Sequence, residues 1–102
     1  MIHVLAYFNA KPGRRDALLA EFRKVMPIVK AEKGCLYYVP AIDTPGLGND
    51  PTKLGQDGFV VVEHWNSLAD LEAHAAAPHM ATFFAAIKDL MADFTVHLVA
   101  PV

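Results

Sequence analysis

Cysteine is almost missing from this sequence. Cys35 stands alone, which excludes an internal disulfide and is compatible with a reducing cytoplasm, the expected location. Basic residues are scarce too. Nine Lys and Arg stand against eleven Asp and Glu, the densest basic cluster is only Lys11, Arg14 and Arg15, and no nucleic-acid footprint results. No apolar run approaches the roughly 18 residues of a membrane-spanning helix. A basic lead followed by an apolar core and a small-residue cleavage site is absent, so no signal peptide is expected. The motifs of bound nucleotide, flavin and zinc are missing as well. There is no phosphate-binding loop, no G-x-G-x-x-G and no H-E-x-x-H, and Gly46, Gly48, Gly55 and Gly58 fit no phosphate-cradling spacing.

What is present describes a globular chain. With 102 residues, an apolar share of 54% and a charged share of 20%, a single domain over residues 1–102 is expected, with apolar content too high for disorder. Ile2 to Phe8 reads as a strand, with Ile2, Val4 and Ala6 on one face and His3, Leu5 and Tyr7 on the other. Asn9 to Gly13 reads as a turn. A helix then runs to about Lys33, its apolar stripe made by Leu18, Phe22, Val25, Met26 and Val29. Pro27 is expected to kink or restart it, because proline cannot donate to the carbonyl of Arg23. Gly34 is the natural stop.

Cys35 to Ile42 reads as a second strand, with Tyr37 and Val39 opposing Leu36 and Tyr38. Residues 43–57 are irregular and rich in Gly, Pro, Asn and Asp, a length that in compact domains is usually functional or mobile. Phe59 to Trp65 is a third strand of β-formers. Ser67 is a good N-cap with Asp70 three residues on, and starts a short helix carrying Leu68, Leu71, His74 and Ala75. Pro78 ends or restarts it. A second segment runs from about His79 to Leu90, with Met80, Phe83, Phe84, Ile87 and Met91 toward a core. Phe94 to Val99 closes the chain as a last strand.

The order strand, helix, strand, strand, helix, strand is that of the ferredoxin-like βαββαβ fold, an α+β architecture with both helices on one face of an antiparallel sheet. Two helices cover one side only, yet the strands are apolar on both. Such a patch is unusual on a monomer, so a homodimer packing sheet against sheet is expected.

Several residues have chemistry to offer. His74 and His79 are five apart around Pro78. A zinc pair on one helix wants three or four, so no metal site is expected. As acid–base groups they suit neutral pH, against the bland alternative that one begins a helix and the other lies on its solvent edge. Trp65 is either a core anchor or a cavity wall against which a flat ring stacks. Glu63 shares its face and needs a partner or an aqueous cavity, while His64 points to the dimer side. Tyr37 or Tyr38, whichever faces the helices, can donate a hydrogen bond to a ligand. Phe83 is counted as core and as a candidate cavity wall.

These residues fall in short motifs whose order resembles the antibiotic biosynthesis monooxygenase family, and its bacterial quinol monooxygenases in particular. The motifs are K-P-G at Lys11 to Gly13, E-K-G-C at Glu32 to Cys35 with Tyr38 and Pro40 after it, and V-E-H-W-N-S at Val62 to Ser67. L-E-A-H at Leu71 to His74, P-H-M at Pro78 to Met80 and the closing A-P-V complete the set. The resemblance implies a ferredoxin-like protomer in a dimeric α+β barrel. It implies oxygenation of a quinol or polyketide-like aromatic by molecular oxygen with no metal, haem or flavin. On that reading His74 or His79 is the base, Trp65 walls the cavity, and Tyr38 or Glu63 orients the substrate oxygen. Haem-degrading relatives use an Asn in the first strand; Ala6 falls there and Asn9 lies later, so haem degradation ranks low. Leu71 falls near a Tyr implicated in some polyketide-oxidising members, which sets that mechanism aside as well. The alternative from another class is a dimeric barrel that binds a small aromatic molecule, or acts in stress response, without catalysis.

Overall fold

The computed structural model describes residues 1–46, 48–49 and 51–102; positions 47 and 50 of the irregular stretch lie outside the described residues. The elements are β1 (Ile2–Ala10), α1 (Arg15–Lys30), β2 (Cys35–Ala41), β3 (Gly58–Trp65), α2 (Leu68–Ala75), α3 (Pro78–Ile87) and β4 (Met91–Val99). The strands form one sheet in the order β2-β3-β1-β4, and every neighbouring pair is antiparallel. This is the ferredoxin-like α+β fold read from the sequence, with the second helical segment split in two by Pro78.

Strand alternation decides which residues meet the helices. Val4, Ala6, Phe8 and Ala10 of β1 are buried, as are Phe59, Val61, Glu63 and Trp65 of β3. Leu18, Phe22, Val25 and Val29 of α1 and Phe83 and Ile87 of α3 close over them. Aromatic rings fill the centre: Phe8 stacks on Phe59 at 4.9 Å, and Phe22 lies 5.3 Å from Tyr38 and 5.9 Å from Phe83 between centroids. Burying each such ring stabilises the fold by about 2–3 kcal/mol.

Several local expectations change. Asn9 and Ala10 belong to β1, not to a turn, because they continue the ladder to Asp93 and Met91 of β4. The first helix ends at Lys30, three residues early. It continues through Pro27, which sits on an exposed position and whose carbonyl still accepts the N–H of Ala31 at 3.3 Å. In β2, Cys35 faces Trp65 and Tyr37 faces His64, so Leu36 is an extra residue in a bulge. The bulge breaks the alternation, and Leu36 is exposed while Tyr38 is buried. Finally, β4 starts at Met91, three residues before Phe94.

Residues 43–57 are held at their base. The Asp43 carboxylate accepts the backbone N–H groups of Leu54 (2.8 Å) and Gly55 (2.9 Å), and these bonds hold its carboxyl below the usual range. Asp57 accepts the N–H of Gly13 at 3.0 Å.

The turns at one end of the sheet are tied together. Gly34, at φ +80°, ends the α1–β2 turn in a conformation that glycine adopts freely. Its carbonyl accepts the N–H of Asn66 at 2.8 Å, and a Cβ there would strike the side chain of Asp70. The end of α1 is thus fixed above the start of α2. No helix among the described residues is long and apolar enough to cross a membrane.

Candidate active site

α2 is short, so its start matters. Ser67 is extended (φ −149°, ψ 162°), and its Oγ accepts the N–H of Asp70 at 3.1 Å while donating to the Asp70 carboxylate at 3.0 Å. The acid thus bonds the cap hydroxyl where a capping box would bond the cap N–H. About two turns after Ser67, His74 points inward, 5% exposed. Ala77, extended as residues before proline prefer, breaks the chain, and Pro78 opens α3 with His79 in its first turn. His74 and His79 therefore sit on two helices, and the spacing rule for a single helix does not govern them.

Both imidazoles reach the same atom. Nδ1 of His74 lies 2.8 Å, and Nε2 of His79 3.2 Å, from Oε2 of Glu32. Glu32 stands in the turn after α1, which the Gly34–Asn66 bond holds in place. The three donor atoms lie within 4.8 Å of one another and offer two nitrogens and an oxygen, a set able to hold a divalent cation. Nothing in the sequence marks Glu32 as their partner, since it is 42 residues from His74 and follows the periodic part of the helix.

Next to this cluster is a cavity of about 350 Å³ between the sheet and α2 and α3. Its walls are apolar: Ala6, Phe8, Leu71, Met80, Phe84 and the β4 residues Phe94, Val96 and Leu98 contribute. Phe94, Val96 and Leu98 are 37–53% exposed, because α2 and α3 leave β4 partly uncovered. The cavity opens there. Four polar residues also line it: the buried His74, Glu63 and Tyr38, and Glu72, exposed on α2. A mostly apolar cavity of this size with a few convergent polar groups is the usual form of a small-molecule site.

The polar groups are set apart by their surroundings. Glu63 is 5% exposed, and its Oε1 accepts the indole N–H of Trp65 at 2.9 Å. Burial pushes its carboxyl up to about 7; the Trp65 bond opposes this and the Glu32 charge adds to it. Burial raises the Tyr38 phenol, helped by the charges of Glu63 and Glu32, so its O–H stays a donor. No buried side-chain nitrogen or oxygen among the described residues lacks a hydrogen-bond partner. Among the described residues the Tyr38 hydroxyl and Nε2 of His74 have no hydrogen-bond partner, and both side chains line the cavity.

The remaining candidates fall elsewhere. Trp65 is fully buried and lies behind His74, with ring centroids 4.6 Å apart; it fixes His74 and Glu63 from the core side and does not wall the cavity. Phe83 packs into the core against Phe22, and its neighbour Phe84 takes the wall position, because the helix turns Phe83 toward α1. Tyr37 is 46% exposed on the opposite sheet face beside His64, 5.1 Å between centroids, and is out of reach of the cavity. His79 lines a separate groove of about 230 Å³ between α1 and α3.

The family model described as antibiotic biosynthesis monooxygenase matches residues 1–86. The chain is 34% identical over 103 residues to a protein of Escherichia coli called a probable quinol monooxygenase, YgiN, covering 99% of this chain and 98% of that one. It is 28% identical over 92 residues to a Bacillus subtilis protein, YcnE, named for monooxygenase activity, covering 89% and 86% of the two chains. Among solved structures, PA3566 from Pseudomonas aeruginosa superimposes with a TM-score of 0.82 at 25% identity, over 99% of this chain and 93% of that one.

Proposed function

We propose, for a chain that belongs to the antibiotic biosynthesis monooxygenase family, a monooxygenase that oxidises a quinol or related polycyclic aromatic with molecular oxygen and no other cofactor. Family membership and the quinol monooxygenase relative support a monooxygenase-type activity. The observation that carries the finer reading is the apolar cavity with the open nitrogen of His74 reaching into it.

The chemistry has a clear requirement. Dioxygen is a triplet and reacts poorly with closed-shell organics, but a quinol that has lost a proton gives up an electron readily. The protein must supply a base, a dry cavity and oriented polar groups. His74 takes the quinol proton. Tyr38 donates to the second substrate oxygen. Glu63, neutral up to about pH 7, does so without placing a charge against the electron-rich ring. The walls hold the radical pair until oxygen joins the ring. One oxygen atom then becomes a ring hydroxyl. The other leaves as water with the two hydrogens of the quinol, and the product is a hydroxyquinone.

A cavity filled by Phe83, Phe84 and Met91 would favour a barrel without catalysis. Phe83 is turned away, Phe84 is a wall, and the space is open to a ligand; the His74 imidazole in its lining is what favours turnover over binding alone. The test is oxygen uptake by chelator-treated, flavin-free protein given a reduced naphthoquinone. Uptake several-fold above autoxidation is expected, and uptake equal to autoxidation for every quinol tried would remove the proposal.

The uncovered sheet face also bears on function. It carries Leu5, Tyr7, Val60 and Val62 among polar residues, and His3 and His64 stack there at 4.1 Å. A homodimer packed through this face is the proposed working form. Light scattering at micromolar concentration is expected to give twice the mass of 11.1 kDa; a monomer at all concentrations would exclude it.

A further inference from the structure

We propose that Glu32 is the positioning residue of the site, holding His74 in the tautomer that presents a basic Nε2 to the cavity. This inference rests on the reading that His74 takes the substrate proton.

A carboxylate only accepts, and a neutral imidazole carries one N–H and one lone pair. Oε2 of Glu32 faces Nδ1 of His74 at 2.8 Å and Nε2 of His79 at 3.2 Å. Both facing nitrogens must therefore carry hydrogen. His74 is then the Nδ1–H form, with its lone pair on Nε2, and His79 is the opposite form.

The rest of the pocket agrees. Nε2 of His74 has no partner among the described residues, and the His74 side chain lines the cavity. Trp65 at 4.6 Å and the edge of Tyr38 at 5.7 Å hold the ring plane. Glu32 does not line the cavity and acts only through His74. When Nε2 takes a proton from the substrate hydroxyl, the imidazolium keeps its Nδ1–H on Glu32, whose charge is 2.8 Å away. The proton waits on Nε2 for return to the reduced oxygen while the Nδ1–H stays bonded to Glu32. This is the logic by which a carboxylate orients a catalytic histidine. The second hydrogen bond, from His79, stops the carboxylate from rotating away. Glu32 is only partly buried, with 16% of its side chain exposed, so the pair of donors does the fixing that packing does not.

The first part of the test needs no substrate. Nitrogen-15 NMR of the imidazoles in the resting, metal-free protein reads the tautomers directly. A protonated Nδ1 and bare Nε2 are expected for His74, and the reverse for His79. Glu32→Leu removes the acceptor at similar volume, and His74 is expected to shift toward the Nε2–H form. Glu32→Gln keeps an acceptor oxygen and is expected to retain the wild-type pattern, with a melting curve confirming that each variant is folded. Turnover of a reduced naphthoquinone is expected to fall at least tenfold in Glu32→Leu, in kcat more than KM, and to recover in part in Glu32→Gln. A protonated Nε2 on His74 in the wild type, or a pattern unchanged in Glu32→Leu, overturns the proposal. So does zinc displacing both N–H protons at one equivalent, which makes Glu32 a metal ligand. The expected tautomers together with full turnover in His74→Ala would uphold the role of Glu32 in setting His74 and overturn only the assignment of the base.

Discussion

Replacing His74 with alanine is expected to lower quinol turnover by about 10²–10⁴-fold, the usual contribution of a positioned acid–base group. His74 is the one imidazole that lines the cavity, and its Nε2 is open there. His79 binds the same carboxylate from the far side and lines a different groove. His79→Ala is therefore expected to cost much less, through loosening of Glu32 alone. Truncating His74 also leaves space beside Trp65, so His74→Gln, which refills most of it, separates lost chemistry from lost packing. If both His74 variants bind a quinone normally and turn over at the wild-type rate, the base lies elsewhere, and Glu63 becomes the group to examine.

The second large effect is on stability. Glu63 is expected to make the fold less stable as pH rises. Its carboxyl moves from an ordinary 4.5 to about 7 in the folded chain, chiefly by burial. The sign follows from proton counting. Below about pH 4.5 the acid is neutral in both states and has no effect. Between about 4.5 and 7 the unfolded chain releases the proton while the folded chain keeps it, so stability falls. Above about 7 both states are ionised and the cost is constant, at about 3 kcal/mol. Glu63→Gln still accepts the Trp65 indole N–H and removes the ionisation. Urea unfolding at pH 4 and pH 8 is expected to show near-equal stability at pH 4 and a gain of about 3 kcal/mol for the variant at pH 8. Parallel pH curves for the two proteins would show that Glu63 is not desolvated as its burial implies. A group that destabilises its own fold at neutral pH is a common mark of a functional site.

How much of this was legible in the sequence differs by level. The ladder was, because alternation and helical spacing state which face each residue takes. The ferredoxin-like order, the Ser67 cap and the Pro78 break all follow from residues read in place. The departures have local causes. The bulge at Leu36 breaks strict alternation, and strand pairing carries Asn9 and Ala10 past the point where turn residues begin. The site was half legible. His74, Glu63 and Tyr38 were readable as polar groups on an apolar face, and the structure brings them to one cavity. Tyr37 could not be separated from Tyr38 without knowing which strand face meets the helices. Trp65 could not be placed behind the cavity nor Phe84 in its wall, because the first depends on where α2 sets His74 and the second on how α3 faces the sheet. Glu32 was invisible in its role: its partners come from two helices more than 40 residues away, and only tertiary packing joins them.

The central claim is that this cavity inserts one atom of dioxygen into a quinol, and isotope labelling under limited turnover tests it most directly. A reduced naphthoquinone is oxidised under ¹⁸O₂ by metal-free protein, and the product is weighed by mass spectrometry against an enzyme-free control. One heavy oxygen per product molecule is predicted with the wild type, and only the background level with His74→Ala. A product without heavy oxygen, formed at the same rate by both proteins, would contradict the account.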